Sequence, residues 1–159
     1  MELWISILDA TTEQYIFCKQ KVDSLFVPAL CLKIENGYFW LVIQNEVKNT
    51  TLPVLTGWNM ISIYFSGNDT VNTNSINVIQ MMYFNDQLRA VSPLLYMRDF
   101  FNDDITHYTL FGTRQYGVNI FSNFFVGFIY DIALSTSPVL GDPWPRSDIE
   151  SYFVSCKFK

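Results

Sequence analysis

The sequence is short of charge, and of positive charge most of all. Ten Lys and Arg stand against fifteen Asp and Glu, for a formal net charge of −5. The basic residues are scattered, and the nearest groupings are the pairs Lys19 with Lys21 and Lys157 with Lys159. Nucleic acid binding relies on clustered cations that displace counterions from phosphates, so no nucleic-acid partner is expected. An anionic membrane surface asks for a longer basic run than either pair offers. There is one histidine, His107, which excludes a multi-histidine metal site and leaves at most an isolated acid–base group. It reads as a surface or rim residue ahead of a strand. No apolar run approaches the roughly 20 residues that span a bilayer as a helix, a test that an outer-membrane barrel would escape. Met1-Glu2-Leu3-Trp4-Ile5 has neither a basic head nor a small-residue cleavage site. The expectation is a cytosolic chain or an excised or truncated piece.

The common chemical fingerprints are missing as well. No Gly-x-Ser-x-Gly elbow, phosphate-cradling glycine loop, Cys-x-x-Cys pair or EF-hand loop occurs, so the usual hydrolase, nucleotide and metal signatures fail. Cysteine is scarce and odd in number: Cys18, Cys31 and Cys156. Cys18 and Cys31 lie in apolar, strand-like runs, where a buried free thiol is the ordinary state. A secreted parent protein allows one bridge, with Cys156 left for a partner beyond the domain. Neither Cys18 nor Cys31 has a histidine nearby in sequence to activate a thiolate.

What is abundant is apolar and aromatic surface. Half the residues are hydrophobic and 17% aromatic, enough to bury a core and to exclude disorder, so residues 1–159 are read as one domain. The apolar pattern repeats with a period near two, carried by β-branched and aromatic residues. Strands are predicted over Leu3–Leu8, Gln14–Lys19, Ala29–Ile34, Tyr38–Ile43, Trp58–Phe65, Asn77–Phe84, Leu88–Val91, Thr109–Gly112 and Phe124–Leu134. Asn36-Gly37 between two apolar runs marks a hairpin, because both residues tolerate the positive φ of a type I′ turn. Ser66–Ser75 and Gln115–Asn123, rich in Asn, Ser, Gly and Thr, read as loops. Short helices are expected at most over Leu94–Phe101 and Ser147–Phe153, the latter capped through Ser147 and Glu150. The class is all-β: an antiparallel sandwich or barrel.

The order of segments resembles the laminin-G-like and concanavalin A-like lectin/glucanase superfamily over nearly the whole chain. The resemblance rests on Leu3-Trp4-Ile5-Ser6-Ile7, on Gly57-Trp58 leading into an alternating strand, and on the hairpin around Phe84-Asn85-Asp86-Gln87-Leu88. Leu110-Phe111-Gly112 and the closing strand Phe125-Val126-Gly127-Phe128-Ile129-Tyr130-Asp131-Ile132-Ala133-Leu134-Ser135 complete it. It implies an antiparallel jelly-roll β-sandwich, with the strand that pairs the termini clipped at Met1. Members that cleave glycans carry a Glu-x-Asp-x-x-Glu pattern with two carboxylates facing one cleft. This chain lacks it, so the resemblance implies a binding module and not an enzyme.

Candidate ligand residues fall in the loops. Some members of the superfamily hold calcium in rim loops, and hard cations want oxygen donors, so Asp69, Asp103 and Asp104 are candidate calcium ligands. Asn and Asp also favour turns simply by bonding nearby backbone, which is the plainer reading of the same residues. Asp99, Asp103 and Asp104 together read as a solvated loop. Asn68, Asp69, Asn102, Asp103 and Trp144 are candidate ligand-binding residues, with Trp144 presented or clamped by Pro143 and Pro145. Trp4, Trp40 and Trp58 lie in strands and read as core. Asn49-Thr50-Thr51 and Asn68-Asp69-Thr70 match the glycosylation sequon, which matters only in a secretory pathway.

The expected function is noncatalytic recognition of a carbohydrate or a protein, by one domain of a larger cell-surface or extracellular protein. The competing expectations are an intracellular assembly subunit that packs an aromatic-rich face on a partner, and a divergent glycoside hydrolase.

Overall fold

Asn36 and Gly37 both adopt positive φ, 53° and 79°, and the chain reverses there as the dipeptide predicts. The turn joins β3 (Pro28–Glu35) to β4 (Tyr38–Ile43) in antiparallel register, from Glu35 opposite Tyr38 to Cys31 opposite Val42. Around this hairpin a computed structural model describes residues 1–21, 28–43, 46–66, 76–85, 88–93, 95–98 and 107–133. On one flank β3 pairs with β2 (Gln14–Lys21), which pairs in turn with β10 (His107–Phe111). On the other, β4 pairs with β5 (Glu46–Pro53). The result is a five-stranded antiparallel sheet with β10 and β5 at its edges.

The second sheet has six strands. β1 (Glu2–Ile7) lies between β6 (Gly57–Ser66) and β13 (Gly127–Ala133), and β6 continues to β7 (Ile76–Asn85). Two short strands, β8 (Arg89–Val91) and β9 (Leu95–Arg98), both pair with β7. A separate ribbon is formed by β11 (Arg114–Gly117) and β12 (Ile120–Ser122). Every strand ladder is antiparallel, and no helix occurs among the described residues.

Two local expectations are corrected, and one strand is added to those the sequence predicts. Leu95–Arg98 lies in a segment read as helical and is a strand, because pairing with β7 outweighs the weak local preference. Gln115–Asn123 contains most of the β11–β12 ribbon and is not a plain loop. The added strand is Glu46–Pro53: its Glu, Lys, Asn and Thr residues show little apolar alternation, and its pairing with β4 defines it. The expected helix over Ser147–Phe153 lies outside the described residues.

The two sheets contribute to one apolar core. Leu3, Ile5 and Ile7 of β1, Ile61 and Ile63 of β6, and Met81 and Tyr83 of β7 join Ile16, Leu32, Ile34, Phe39, Leu41 and Ile43 of the five-stranded sheet. Alternation explains the membership, since residues two apart on a strand share a face. Burying each such side chain contributes about 1.5–3 kcal/mol relative to exposure. Inside the core, the Tyr83 hydroxyl donates to Asn59 Oδ1 and accepts from the Leu55 N–H at 3.2 Å. Asn85 Nδ2 donates to the same Asn59 oxygen at 3.2 Å. Burial pushes the Tyr83 phenol up to about 12, while the Leu55 N–H works the other way.

Two buried glutamines tie distant chain to β2. Gln14 Nε2 donates to the Asp9 carbonyl at 2.6 Å, and its Oε1 accepts the Val126 N–H at 2.7 Å. Gln20 engages Gln115 through both ends of its amide, donating to the carbonyl at 2.8 Å and accepting the N–H at 2.9 Å. On the side of this sheet away from the common core, Cys18 and Cys31 face each other across β2 and β3 and are joined by a disulfide. The bridged alternative therefore holds and the free-thiol reading does not. Such a bond fits an oxidising environment.

Candidate functional site

The outward face of the six-stranded sheet carries aromatic side chains where a solvated sheet would carry polar ones. Leu3, Ile5 and Ile7 of β1 turn into the core, so Trp4 and Ser6 turn away from it. Strand register then sets Phe128, Ser6 and Trp58 side by side in one row, and Asp131, Trp4 and Met60 in another. Between these rows β13 carries a bulge: Trp4 pairs with Asp131 and Ile5 with Ile129, leaving Tyr130 as the additional residue. Bulges re-aim side chains, and this one sends the Tyr130 ring toward Trp58. The two rings meet edge-on, centroids 6.0 Å apart at 88°. Trp58 in turn stacks against Trp4 at 6.2 Å and 21°.

Size matters at the middle of this strip. Ser6 stands between Phe128 and Trp58 and is buried although it faces outward. The larger side chains stay open: Phe128 is 63% exposed, Tyr130 72% and Trp58 48%. Gly127 permits the close approach of β13 to β1, since a Cβ there would run into the Ser6 carbonyl oxygen and the Phe125 ring.

A second cluster occupies the outward face of the five-stranded sheet, where Tyr15, Lys33 and Trp40 follow one another across β2, β3 and β4. Lys33 Nζ donates to Glu13 Oε1 at 2.9 Å and pairs with Glu35 Oε2 at 2.7 Å. Burial opposes the charge on Lys33, but the bonds to Glu13 and Glu35 outweigh it and hold the ammonium above its ordinary range. Two cations stand near the Tyr15 ring, with Lys33 Nζ 6.0 Å and the Arg114 guanidinium 5.5 Å from its centroid. Arg114 also donates to the Tyr15 hydroxyl at 3.0 Å and sits 4.5 Å from the Tyr116 ring. Burial first, then the neighbouring Tyr15, pushes the Tyr116 phenol up to about 12. Trp40 Nε1 is committed to the Glu35 carbonyl at 3.0 Å. Glu13 and Glu35 are thus two carboxylates brought to one place, but both are acceptors for a standing cation.

The residues singled out in sequence fare unevenly. Asn68, Asp69, Asn102, Asp103, Asp104 and Trp144 lie outside the described residues, as do Asp86 and Asp99. Asn85 is described and serves the core through Asn59. The backbone of His107 pairs with Lys21 at the edge of the five-stranded sheet. Trp58 is not core, a correction that follows from its place in the Ser6 row on the outward face. Trp4 is buried as expected, but on that same outward face, against Trp58. Phe128 and Tyr130 were not singled out for recognition. Their signal was the unbroken apolar run Phe128-Ile129-Tyr130, which supplies both faces of a strand at once.

Among the described residues no group of three or more His, Cys, Asp or Glu could hold a metal ion. Among them, too, no helix is long and apolar enough to cross a membrane, which leaves β-barrels unaddressed. No family profile, no curated protein and no solved structure matches this chain.

Proposed function

We propose that this chain is a noncatalytic carbohydrate-recognition module whose contact surface is the strip Phe128, Tyr130 and Trp58. The observation that carries the reading is the exposure of these three rings on one sheet face, two of them held in mutual contact. Contiguous exposed apolar surface on a soluble domain ordinarily marks an interaction site. A sugar ring presents a C–H face that lies flat on an aromatic ring, while its hydroxyls bond to polar groups at the margin. Tyr and Trp offer both an apolar body and a polar tip. The net charge of −5 favours neutral glycans over sulfated or uronic ones. The absence of catalysis in this reading rests on Glu13 and Glu35, both engaged by Lys33. The jelly-roll sandwich of concanavalin A-like kind is the topology proposed for the two sheets and their shared core. A cell-surface or extracellular setting is supported by the Cys18–Cys31 bridge.

The test is a glycan array followed by affinity electrophoresis on the neutral polysaccharides that score. Trp58→Ala and Tyr130→Ala are each expected to weaken binding at least tenfold, equivalent to about 1.4 kcal/mol. Lys33→Met, on the opposite sheet, should leave it unchanged. Undiminished binding by a folded Trp58→Ala/Tyr130→Ala/Phe128→Ala variant would remove the strip from the function.

A second reading, assembly with a protein partner, is favoured by a separate observation. Val118, Ile120 and Phe121 of the β11–β12 ribbon, with Phe124 just beyond it, are all exposed. Sedimentation of the chain across a concentration series tests it, with Ile120→Ser/Phe121→Ser expected to abolish any association.

A further inference from the structure

We infer that Asn49 is an acceptor for N-linked glycan. The inference is independent of the carbohydrate-binding strip. Asn49-Thr50-Thr51 carries the acceptor amide and a hydroxyl residue two positions on, with no proline between them. Sequons occur by chance, so the weight falls on where this one sits. β5 is an edge strand of the five-stranded sheet, and both Asn49 and Thr51 are exposed on it while Thr50 between them is buried. The buried member is not the one that must reach an enzyme: Thr50 Oγ1 is occupied by the Phe39 carbonyl at 2.7 Å. Asn49 Oδ1 accepts the Thr51 N–H at 2.7 Å, an arrangement that leaves the amide nitrogen to solvent.

Two further observations agree. The Cys18–Cys31 bridge fits the same oxidising compartment in which this modification is made. A glycan on an edge strand also blunts the exposed backbone edge, which otherwise templates pairing with another chain.

The step is a glycosyl transfer from a lipid-diphosphate-linked oligosaccharide. Asn49 Nδ2 attacks the anomeric carbon, and the C1–N bond forms as the C1–O bond to the diphosphate breaks. The lipid diphosphate leaves with the electron pair, and the amide proton passes to a base of the transferase.

The experiment is translation of the full chain, behind a cleavable signal peptide, in the presence of microsomes, read on the protease-protected fraction. Peptide mapping after peptide N-glycosidase in heavy-oxygen water reports Asn49 separately from the second sequon at Asn68. Asn49 is expected to be converted to labelled Asp, and the conversion to be lost in Asn49→Gln and kept in Thr51→Ser. Thr51→Gly should also lose it while retaining the fold, because Thr51 has φ 60° and glycine accepts that conformation without strain. Recovery of the Asn49 peptide unmodified from the protected fraction overturns the proposal. So does equal labelling in Thr51→Gly.

Discussion

Phe39 of the five-stranded sheet and Tyr83 of the six-stranded sheet meet across the core, ring centroids 5.2 Å apart at 55°. The contact joins the two sheets, and the Tyr83 hydroxyl adds Asn59 and Leu55 to it. Tyr83→Phe keeps the ring and strands those partners, so it should cost about 1–2 kcal/mol in urea denaturation. Tyr83→Ala also opens a cavity and should cost about 3–5 kcal/mol. Equal losses in the two variants would show that the hydroxyl, not the ring, carries the joint.

Alkaline pH should act through the same residue. The Tyr83 phenol is raised to about 12 in the folded chain, against an ordinary value of about 10 when unfolded. Its contribution is therefore complete below pH 10 and is lost as pH rises from about 10 to about 12. The loss amounts to about 2–3 kcal/mol, since each unit of difference is worth about 1.4 kcal/mol. Tyr116, raised in the same direction, adds a smaller contribution because it is partly exposed. Denaturation midpoints from pH 8 to 12 should fall less steeply in Tyr83→Phe than in the parent chain. Parallel curves would assign the alkaline loss elsewhere.

Gly127→Ala tests the close approach of β13 to β1. The added methyl meets the Ser6 carbonyl oxygen and the Phe125 ring, so one strand must move. A cost of about 1–3 kcal/mol is expected, of the size seen for overpacked cores. Hydrogen exchange should quicken along β13 and β1 before it changes in the five-stranded sheet. Wild-type stability in this variant would show that the approach of β13 to β1 at Gly127 constrains neither strand.

Removal of the Cys18–Cys31 bond should be felt through the unfolded chain. The bond closes a loop with a sequence separation of 13, worth about 3 kcal/mol by loop-closure entropy. Reduction with dithiothreitol, or the Cys18→Ala/Cys31→Ala double change, should lower the denaturation midpoint by a similar amount. Alkylation of the untreated, unfolded chain should modify Cys156 alone.

Lys33→Met leaves Glu13 and Glu35 facing each other without their shared cation. Both carboxylates are partly exposed, so the expected cost is moderate, about 1–3 kcal/mol. Adding Glu13→Gln and Glu35→Gln to Lys33→Met should restore most of it, because the unpaired charge then goes with its partner. A triple variant as weak as the single one would mean that Lys33 acts through its packing on Tyr15.

The strand content was largely readable from residues. Leu3, Ile5 and Ile7 announce a strand by alternation, and Asn36-Gly37 announces its hairpin by backbone preference. Where the reading failed, the deciding contact came from far along the chain. Leu95–Arg98 is a strand through β7, Glu46–Pro53 through β4, and Arg114–Gly117 through β12 and Gln20. The aromatic strip was hidden for the same reason: Trp58 and Tyr130 lie far apart in the chain, and only the pairing of their strands with β1 brings them together.

Local chemistry thus dictates that this chain forms antiparallel strands, where one hairpin turns, and which residues within a strand share a face. Those properties depend on side-chain alternation and on φ preferences that span a few residues. Register between remote strands dictates the rest: that Cys18 stands opposite Cys31, that Lys33 falls between Glu13 and Glu35, and that the Trp58 ring looks outward. A shift of one residue would turn every one of those side chains to the other face, and no short stretch of sequence carries that information.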